Sequence, residues 1–405
     1  MKEINVAVIG IGARGEGNLM CIQHIDGVHV RAVCDIYGDR CDKGAKLVMD
    51  MGNPEPFKSC DYTEVINRSD VDVVMVFTSW ESHIQIAIDA MKAGKAVGME
   101  VGGAATVEEC WELVHTWEAT KVPFMMLENC CYGKNELMVR NMVRNGLFGE
   151  IVHCHGAYAH DLREEVGKGK ENRHYRLNHY LDENCDNYPT HDLGPIAKIL
   201  DINHGNRMVR LVSMASKACG MKRYIKDREE IFVNKDLIGK EFAQGDIVNT
   251  LITCANGETI SLTLDTTLPR SYSREFTVRG TRGMYEENTN SVYLDGEPEG
   301  FATVEHYKKV IDNAKDYEAR YMPDFYKNMS QKVKEMGHDG MDYYDFTEFF
   351  RAIAEEKPMP IDVYDAASWM CISALTKESI ANGNIPMDIP DFTNGAWKTR
   401  ERFDV

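Results

Sequence analysis

Ile4-Asn5-Val6-Ala7-Val8-Ile9-Gly10-Ile11-Gly12-Ala13-Arg14-Gly15 is a short apolar, β-branched run that passes straight into a G-x-G-x-x-G turn. The run reads as a buried strand, and the residues after Gly15 read as a helix. A second apolar strand, His29-Val30-Arg31-Ala32-Val33-Cys34, ends at Asp35, 20 residues after Gly15. Strand, glycine turn, helix, strand and acid come in the order of a dinucleotide-binding βαβ unit. Gly10 permits the tight turn, Gly12 lets the backbone approach a pyrophosphate, and Gly15 lets helix and strand pack closely. Asp35 would accept hydrogen bonds from the adenosine ribose hydroxyls, which favours NAD over NADP. A glycine turn alone is weak evidence; its flanking strand, helix and acid make it specific.

Outward from this unit, strands and helices alternate through the first third. Amphipathic 38–50 is followed by a strand at 71–77, a helix at 82–93, a strand at 96–99, a helix at 107–120 and a strand at 123–127. Such alternation predicts a parallel, doubly wound α/β sheet, whose ligands sit beyond the C-terminal strand ends. Three segments fall there: 78–83, 100–103 and 128–130. A helix over 134–145 ends at Asn145-Gly146. Residues 150–160 then alternate as a half-exposed strand, and 163–188 is polar with little periodicity. Pro189 to Leu200 contains a helix. Strand patterns recur at 208–216, 245–254, 258–266, 274–279, 283–288 and 291–295, with Asn256-Gly257 as a hairpin turn. The expected second domain is α+β, an open and mostly antiparallel sheet with helices on one face. Residues 341–355 and 363–381 read as helices that return to the first domain, and 385–397 as an irregular tail. The boundaries expected are 1–130 for the dinucleotide-binding domain and 131–405 for a substrate and oligomerisation domain.

A chain of 405 residues suits two domains. Its net charge of −18 argues against nucleic acid or an anionic membrane surface as a partner. Apolar runs are too short to span a bilayer, and no basic-then-apolar leader precedes the first strand. The 12 cysteines form no C-x-x-C pair, so reduced thiols in a cytoplasmic protein are expected.

Few residues carry metal or nucleophile signatures. His153 and His155 alternate on one strand, with Tyr158 and His160 on the other parity, but no H-E-x-x-H or thiolate cluster occurs, and no metal is expected. No G-x-S-x-G elbow and no distinctive carboxylate pair appears. The informative stretch is Tyr188-Pro189-Thr190-His191-Asp192-Leu193-Gly194-Pro195, where a phenol, a hydroxyl and an imidazole open a helix. Tyr188 and His191 share a face if that turn is helical. The helix N-terminus disfavours a nearby imidazolium, which suits a neutral base. The bland alternative is a capping Thr190 beside a packed His191.

These residues resemble the glucose–fructose oxidoreductase/inositol dehydrogenase (Gfo/Idh/MocA) family, and more closely its glycoside hydrolase family 109 branch, typified by NAD-dependent α-N-acetylgalactosaminidases. The likeness covers nearly the whole chain. It rests on the Gly10–Asp35 fingerprint, Trp80-Glu81-Ser82-His83, Glu100-Val101, Leu127-Glu128-Asn129, Gly156–Arg163, Tyr175-Arg176, Tyr188–His191, Asp265–Thr267 with Pro269–Ser273, Gly337–Asp342, and Pro390–Thr393. Dehydrogenases of the wider family carry Glu-Lys-Pro where this chain has Glu100-Val101-Gly102. The resemblance implies NAD contacts at Ala13, Arg14, Asp35, Trp80 to His83, Glu100, Val101 and Asn129. It implies sugar contacts at Tyr158, Arg176, Tyr188, Pro189, Thr190, His191 and Tyr272. It also implies a redox-neutral glycosidase with His191, Tyr188 and Tyr158 as proton-transfer candidates. The competing expectations are a net sugar or inositol-type oxidoreductase and a cofactor-binding protein without catalysis. A small carbohydrate is the expected partner, and the open second sheet suggests a homo-oligomer.

Overall fold

The computed structural model describes residues 3–296 and 304–402, which divide into two compact units. The first takes the described residues up to Tyr132 together with Met329–Ser368; the second takes Gly133–Asn328 and Trp369–Arg402.

In the first unit β1 (Ile4–Ile9), β2 (Val28–Cys34), β3 (Phe57–Ser59), β4 (Val73–Val76), β5 (Ala96–Glu100) and β6 (Phe124–Leu127) form one parallel sheet in the order β3-β2-β1-β4-β5-β6. Every residue of β4, β5 and β6 is buried, as expected of strands covered by helices on both faces. The helices Ala13–Ile22, Gly38–Asp50, Trp80–Lys92 and Val107–Thr120 connect them. The last begins in a capping box: Thr106 accepts from the Glu109 amide, and the Glu109 carboxylate accepts in return. Strand order reverses between β1 and β4, and that reversal opens a crevice at the C-terminal strand ends. The late segment completes this unit. The Ile361 carbonyl accepts from the Met126 amide at 3.1 Å along β6, and Tyr344 of the Met341–Ala354 helix packs against Tyr132 with ring centroids 5.3 Å apart.

In the second unit β7 (Ile151–Ala159), β8 (Met208–Ala215), β9 (Ile247–Cys254), β10 (Thr259–Asp265), β11 (Thr277–Gly280), β12 (Gly283–Glu286), β13 (Ser291–Leu294) and β14 (Met387–Asp388) form a sheet ordered β13-β12-β11-β7-β10-β9-β8-β14. Only the β7–β10 pair is parallel. Asn256-Gly257 turns β9 into β10, with Gly257 at φ +102°. β9 alternates strictly: Val248, Thr250, Ile252 and Cys254 are buried, while Asn249, Leu251 and Thr253 are exposed. The Thr190–Ile199 helix covers the buried face of β7, where a Cβ on Gly156 would lie 2.9 Å from Asp192 Cβ.

Two readings of the sequence need correcting. The polar stretch 163–188 contains two short helices, Arg163–Gly167 and Arg176–Asp182. They bury Val166, Leu177 and Tyr180, too few apolar residues to produce a visible period. The tail at 385–397 is not wholly irregular, because Met387 and Asp388 pair with Leu211 and Arg210 and end the sheet. The 12 cysteines are all free, and no helix among the described residues is long and apolar enough to cross a membrane.

Candidate active site

The first group of candidate residues lies along the strand ends of the parallel sheet. Gly10 sits at φ +95°, and a Cβ there would meet the Phe77 carbonyl oxygen at 2.5 Å, so only glycine lets β1 turn beside β4. A Cβ on Gly15 would meet the Gly10 oxygen at 2.0 Å, which fixes the helix close to the strand. Gly12 has only Arg40 within reach, at 3.7 Å, so its backbone is open to an approaching phosphate beside the Ala13 helix start. Asp35 caps this turn from the end of β2. Its Oδ2 accepts from the Ile11 amide at 2.8 Å and its Oδ1 from the Tyr37 amide at 3.0 Å. Arg40 stands 3.7 Å from Asp35 and stacks on the Tyr37 ring at 4.9 Å.

Further along the same edge, Trp80 and His83 start the helix after β4, and both are buried. The His83 ring is enclosed, with the Glu100 backbone as its one hydrogen-bonding neighbour. Burial, only partly opposed by the Glu81 charge and the Glu100 backbone, pushes its pKa down to about 4 and keeps the ring neutral. Glu100 ends β5, and Val101 follows, fully buried, where a dehydrogenase would carry a lysine. Asn129 follows β6. An open glycine backbone at a helix N-terminus, an acid at the end of β2 and a buried, neutral imidazole fit a dinucleotide. These residues could hold one along the whole crevice.

The second group gathers in the other unit. β7 supplies Tyr158, the Arg176–Asp182 helix supplies Arg176, and the start of the Thr190–Ile199 helix supplies Tyr188, Pro189, Thr190 and His191. The small Gly156 lets that helix approach β7 closely and brings the rings together. Tyr158 and Tyr188 centroids are 4.5 Å apart, Tyr188 and His191 4.7 Å, and Tyr158 and His191 5.6 Å. The Arg176 guanidinium lies 4.8 Å from the Tyr188 ring and 6.0 Å from Tyr158. Its burial opposes the charge, but Tyr158, Tyr175, Glu165 and Tyr188 hold its pKa well above the usual value. Tyr272 is half exposed and meets His160 edge-on at 5.2 Å, and His160 in turn meets Tyr158 at 6.1 Å. Burial lowers the His160 pKa, with Arg176 and His191 adding to this and the Glu165 and Asp161 charges opposing it. His153 and His155 take the opposite parity of β7. They pair with Thr259, Ser261 and Glu275 instead of joining the cluster.

Sequence reasoning did not single out three residues at these sites. Arg40 follows Asp35 by one turn of helix and shares its neighbourhood. Glu165 lies 3.3 Å from Arg176 and 3.5 Å from His174. Asp186 is buried, and burial pushes its pKa up to about 7 against the opposing hydrogen bond of the Tyr188 backbone. Its only signal was its place two residues before Tyr188, in a chain where acids are common.

Comparison with known proteins agrees with both units. Residues 4–128 match the Gfo/Idh/MocA oxidoreductase family model with its NAD-binding Rossmann fold, and residues 132–399 match the C-terminal domain of glycosyl hydrolase 109. An α-N-acetylgalactosaminidase of Tannerella forsythia is 38% identical across 97% of this chain and 87% of its own length. Another, from Shewanella oneidensis, is 36% identical across 98% and 87%. Among solved structures, a levoglucosan dehydrogenase in complex with NADH and levoglucosan superposes with a TM-score of 0.71 at 18% identity, over 96% of this chain and 99% of the other. An Agrobacterium radiobacter oxidoreductase in complex with NAD+ gives 0.66 at 16% identity, with the same coverage. The structural likeness establishes the fold, and the sequence relatives establish the branch. The chain belongs to glycosyl hydrolase family 109 and is a glycosidase whose Rossmann domain binds a nicotinamide cofactor.

Proposed function

We propose that the enzyme is NAD-dependent and cleaves a hexoside of the N-acetylgalactosaminide class by oxidation, elimination, hydration and re-reduction. The observation that carries this reading is the cluster of Tyr158, Tyr188, His191 and Arg176. It offers proton-transfer groups beside a cation. Ordinary glycoside hydrolysis needs a paired acid and base carboxylate. Of the nearby carboxylates, Asp161 is held bidentately by Arg163, whose hydrogen bonds keep its pKa below the usual range, and Glu165 pairs with Arg176 and His174. Neither is set up as a general acid, and Asp186, whose carboxyl burial pushes up to about 7, is shut off from solvent behind Tyr188 with no second carboxylate paired to it. The relatives named α-N-acetylgalactosaminidases support the sugar class.

Gly10, Gly12, Ala13, Arg14, Gly15, Asp35, Trp80, His83, Glu100, Val101 and Asn129 would hold the cofactor. The Asp35 carboxylate would repel a 2′-phosphate and so select NAD. When bound, NAD+ supplies the hydride acceptor for sugar C3 and the donor that later restores it. His191 takes the O3 proton during oxidation. The resulting ketone acidifies the C2 proton, which Tyr188 removes, with Tyr158 as the alternative base, and the group on C1 leaves. Arg176 orients the sugar and steadies the phenolate. Pro189 and Thr190 fix the turn that presents Tyr188 and His191, and Tyr272 offers an exposed ring to the sugar. Water adds at C1, and the proton returns to C2. Self-association would use the open sheet face, where Met214 and Leu251 are exposed on the adjacent strands β8 and β9.

The test is turnover of 4-nitrophenyl hexosides, including a thioglycoside, in D2O. Deuterium at C2 of the product, cleavage of the thioglycoside and no accumulation of NADH are expected. Aglycone release with C2 fully protonated would rule out elimination. NADH in step with product and no cleavage would make the protein a net oxidoreductase.

A further inference from the structure

Arg14 is expected to touch the cofactor, yet its side chain is already committed. Its Nε donates to Glu100 at 3.1 Å, and its Nη1 and Nη2 donate to the two oxygens of Asp342 at 2.7 and 2.9 Å. Asp342 stands in the first turn of the Met341–Ala354 helix, 328 residues after Arg14 in sequence and in the same compact unit. Its carboxylate is fully used. Oδ1 accepts from Arg14 and from Asn129 Nδ2 at 2.6 Å, and Oδ2 accepts from Arg14 and from His338 Nδ1 at 2.9 Å. Burial opposes its charge, but the His338 hydrogen bond and the Arg14 guanidinium hold it well below the usual carboxylate range. One helical turn on, buried Asp345 is pushed well above that range by desolvation and by Asp342, Glu100 and Glu128. Arg14 donates to Asp342 and Glu100.

The approach to Asp342 is strained in a way that holds it there. Gly337, His338, Asp339 and Gly340 all have positive φ, at +40°, +48°, +56° and +90°. Two of the four are not glycine, and such residues keep a left-handed backbone only where their surroundings enforce it. A Cβ on Gly337 would sit 2.1 Å from Asp342 Oδ2, so the turn closes directly onto the carboxylate.

We infer that Asp342, delivered by this left-handed turn, is a positioning residue that presets Arg14 and Asn129 in the cofactor crevice, and that it sets NAD affinity without touching the cofactor. This rests on the reading above that Arg14 and Asn129 border the bound dinucleotide. Holding a guanidinium by a bidentate fork removes the rotamer freedom that binding would otherwise have to remove.

The experiment is calorimetric titration of the stripped full-length protein with NAD+, together with its melting temperature. Asp342→Asn should raise Kd by about tenfold to hundredfold, the range typical of supporting residues around a bound group. Arg14→Lys keeps the charge but lacks the fork, and should weaken binding in the same direction with little change in melting. The double variant should bind no more weakly than the poorer single one, because both changes remove one interaction. Wild-type affinity in Arg14→Lys, or additive losses in the double variant, would overturn the inference. If Asp342→Asn does not fold, Asp342→Glu, which keeps the charge but displaces the fork, takes its place, and wild-type NAD+ affinity there would overturn the inference. Asp35→Ala is the control. If it loses NAD+ while the other two variants do not, the positioning role falls and the cofactor reading stands. If wild type and Asp35→Ala fail to differ, the cofactor reading falls as well.

Discussion

The glycine-rich crevice and the aromatic cluster are built by opposite means. In the crevice, the candidate contacts are chiefly backbone: an open Gly12, a helix start at Ala13 and an acid held by the Ile11 and Tyr37 amides. Those features lie within one βαβ unit, so their spacing in sequence is their spacing in space. In the cluster, the candidate contacts are side chains of three separate elements, and a small residue at 156 sets their approach. A short motif can encode the first kind of site. The second exists only after a sheet and two helices have packed.

The comparison can be broken most severely at His191. His191→Ala should lower turnover by roughly 10²–10⁴, as expected for a lost proton-transfer group, while leaving NAD+ affinity unchanged. Steady-state rates together with a cofactor titration measure both. Full specific activity with early melting would make His191 a packing residue.

Asp186 tests whether the cluster keeps a neutral acid behind Tyr188. A carboxyl whose folded pKa is raised binds a proton that the unfolded chain has released. Stability is therefore highest below the unfolded value of 3.8 and falls as pH rises toward about 7. Asp186→Asn should remove that fall, giving a gain on the order of a few kcal/mol near pH 7 and little near pH 4. Denaturant melts at the two pH values show it, and an equal effect at both would contradict a buried neutral carboxyl.

The smallest expected effect belongs to the crevice. Asp35→Ala should weaken NAD+ and relax the discrimination against NADP+, with each change worth about 1–3 kcal/mol. Arg40, 3.7 Å away, would then be released to meet a 2′-phosphate. Paired titrations with the two cofactors sharpen the contrast: this change should alter cofactor choice and leave glycoside affinity alone. A variant that still rejects NADP+ would mean that Asp35 does not set the choice.

The sequence by itself determined the doubly wound sheet, the Gly10–Asp35 turn and the open, mostly antiparallel second sheet. Period, glycine placement and turn residues are local quantities, and hydrophobic burial follows from them directly. It also marked Tyr188 to His191, because a phenol, a hydroxyl and an imidazole at a helix start form one short string. Only the tertiary structure decided which residues meet. Arg176 lies in a stretch whose two short helices leave no period, and it finds Tyr158 and Tyr188 because Gly156 admits the Thr190–Ile199 helix. Arg14 and Asp342, 328 residues apart, give no sign of each other in the chain. Charged groups select their partners by distance and burial, and both arise only when the Met329–Ser368 segment folds into the same unit as the first strand.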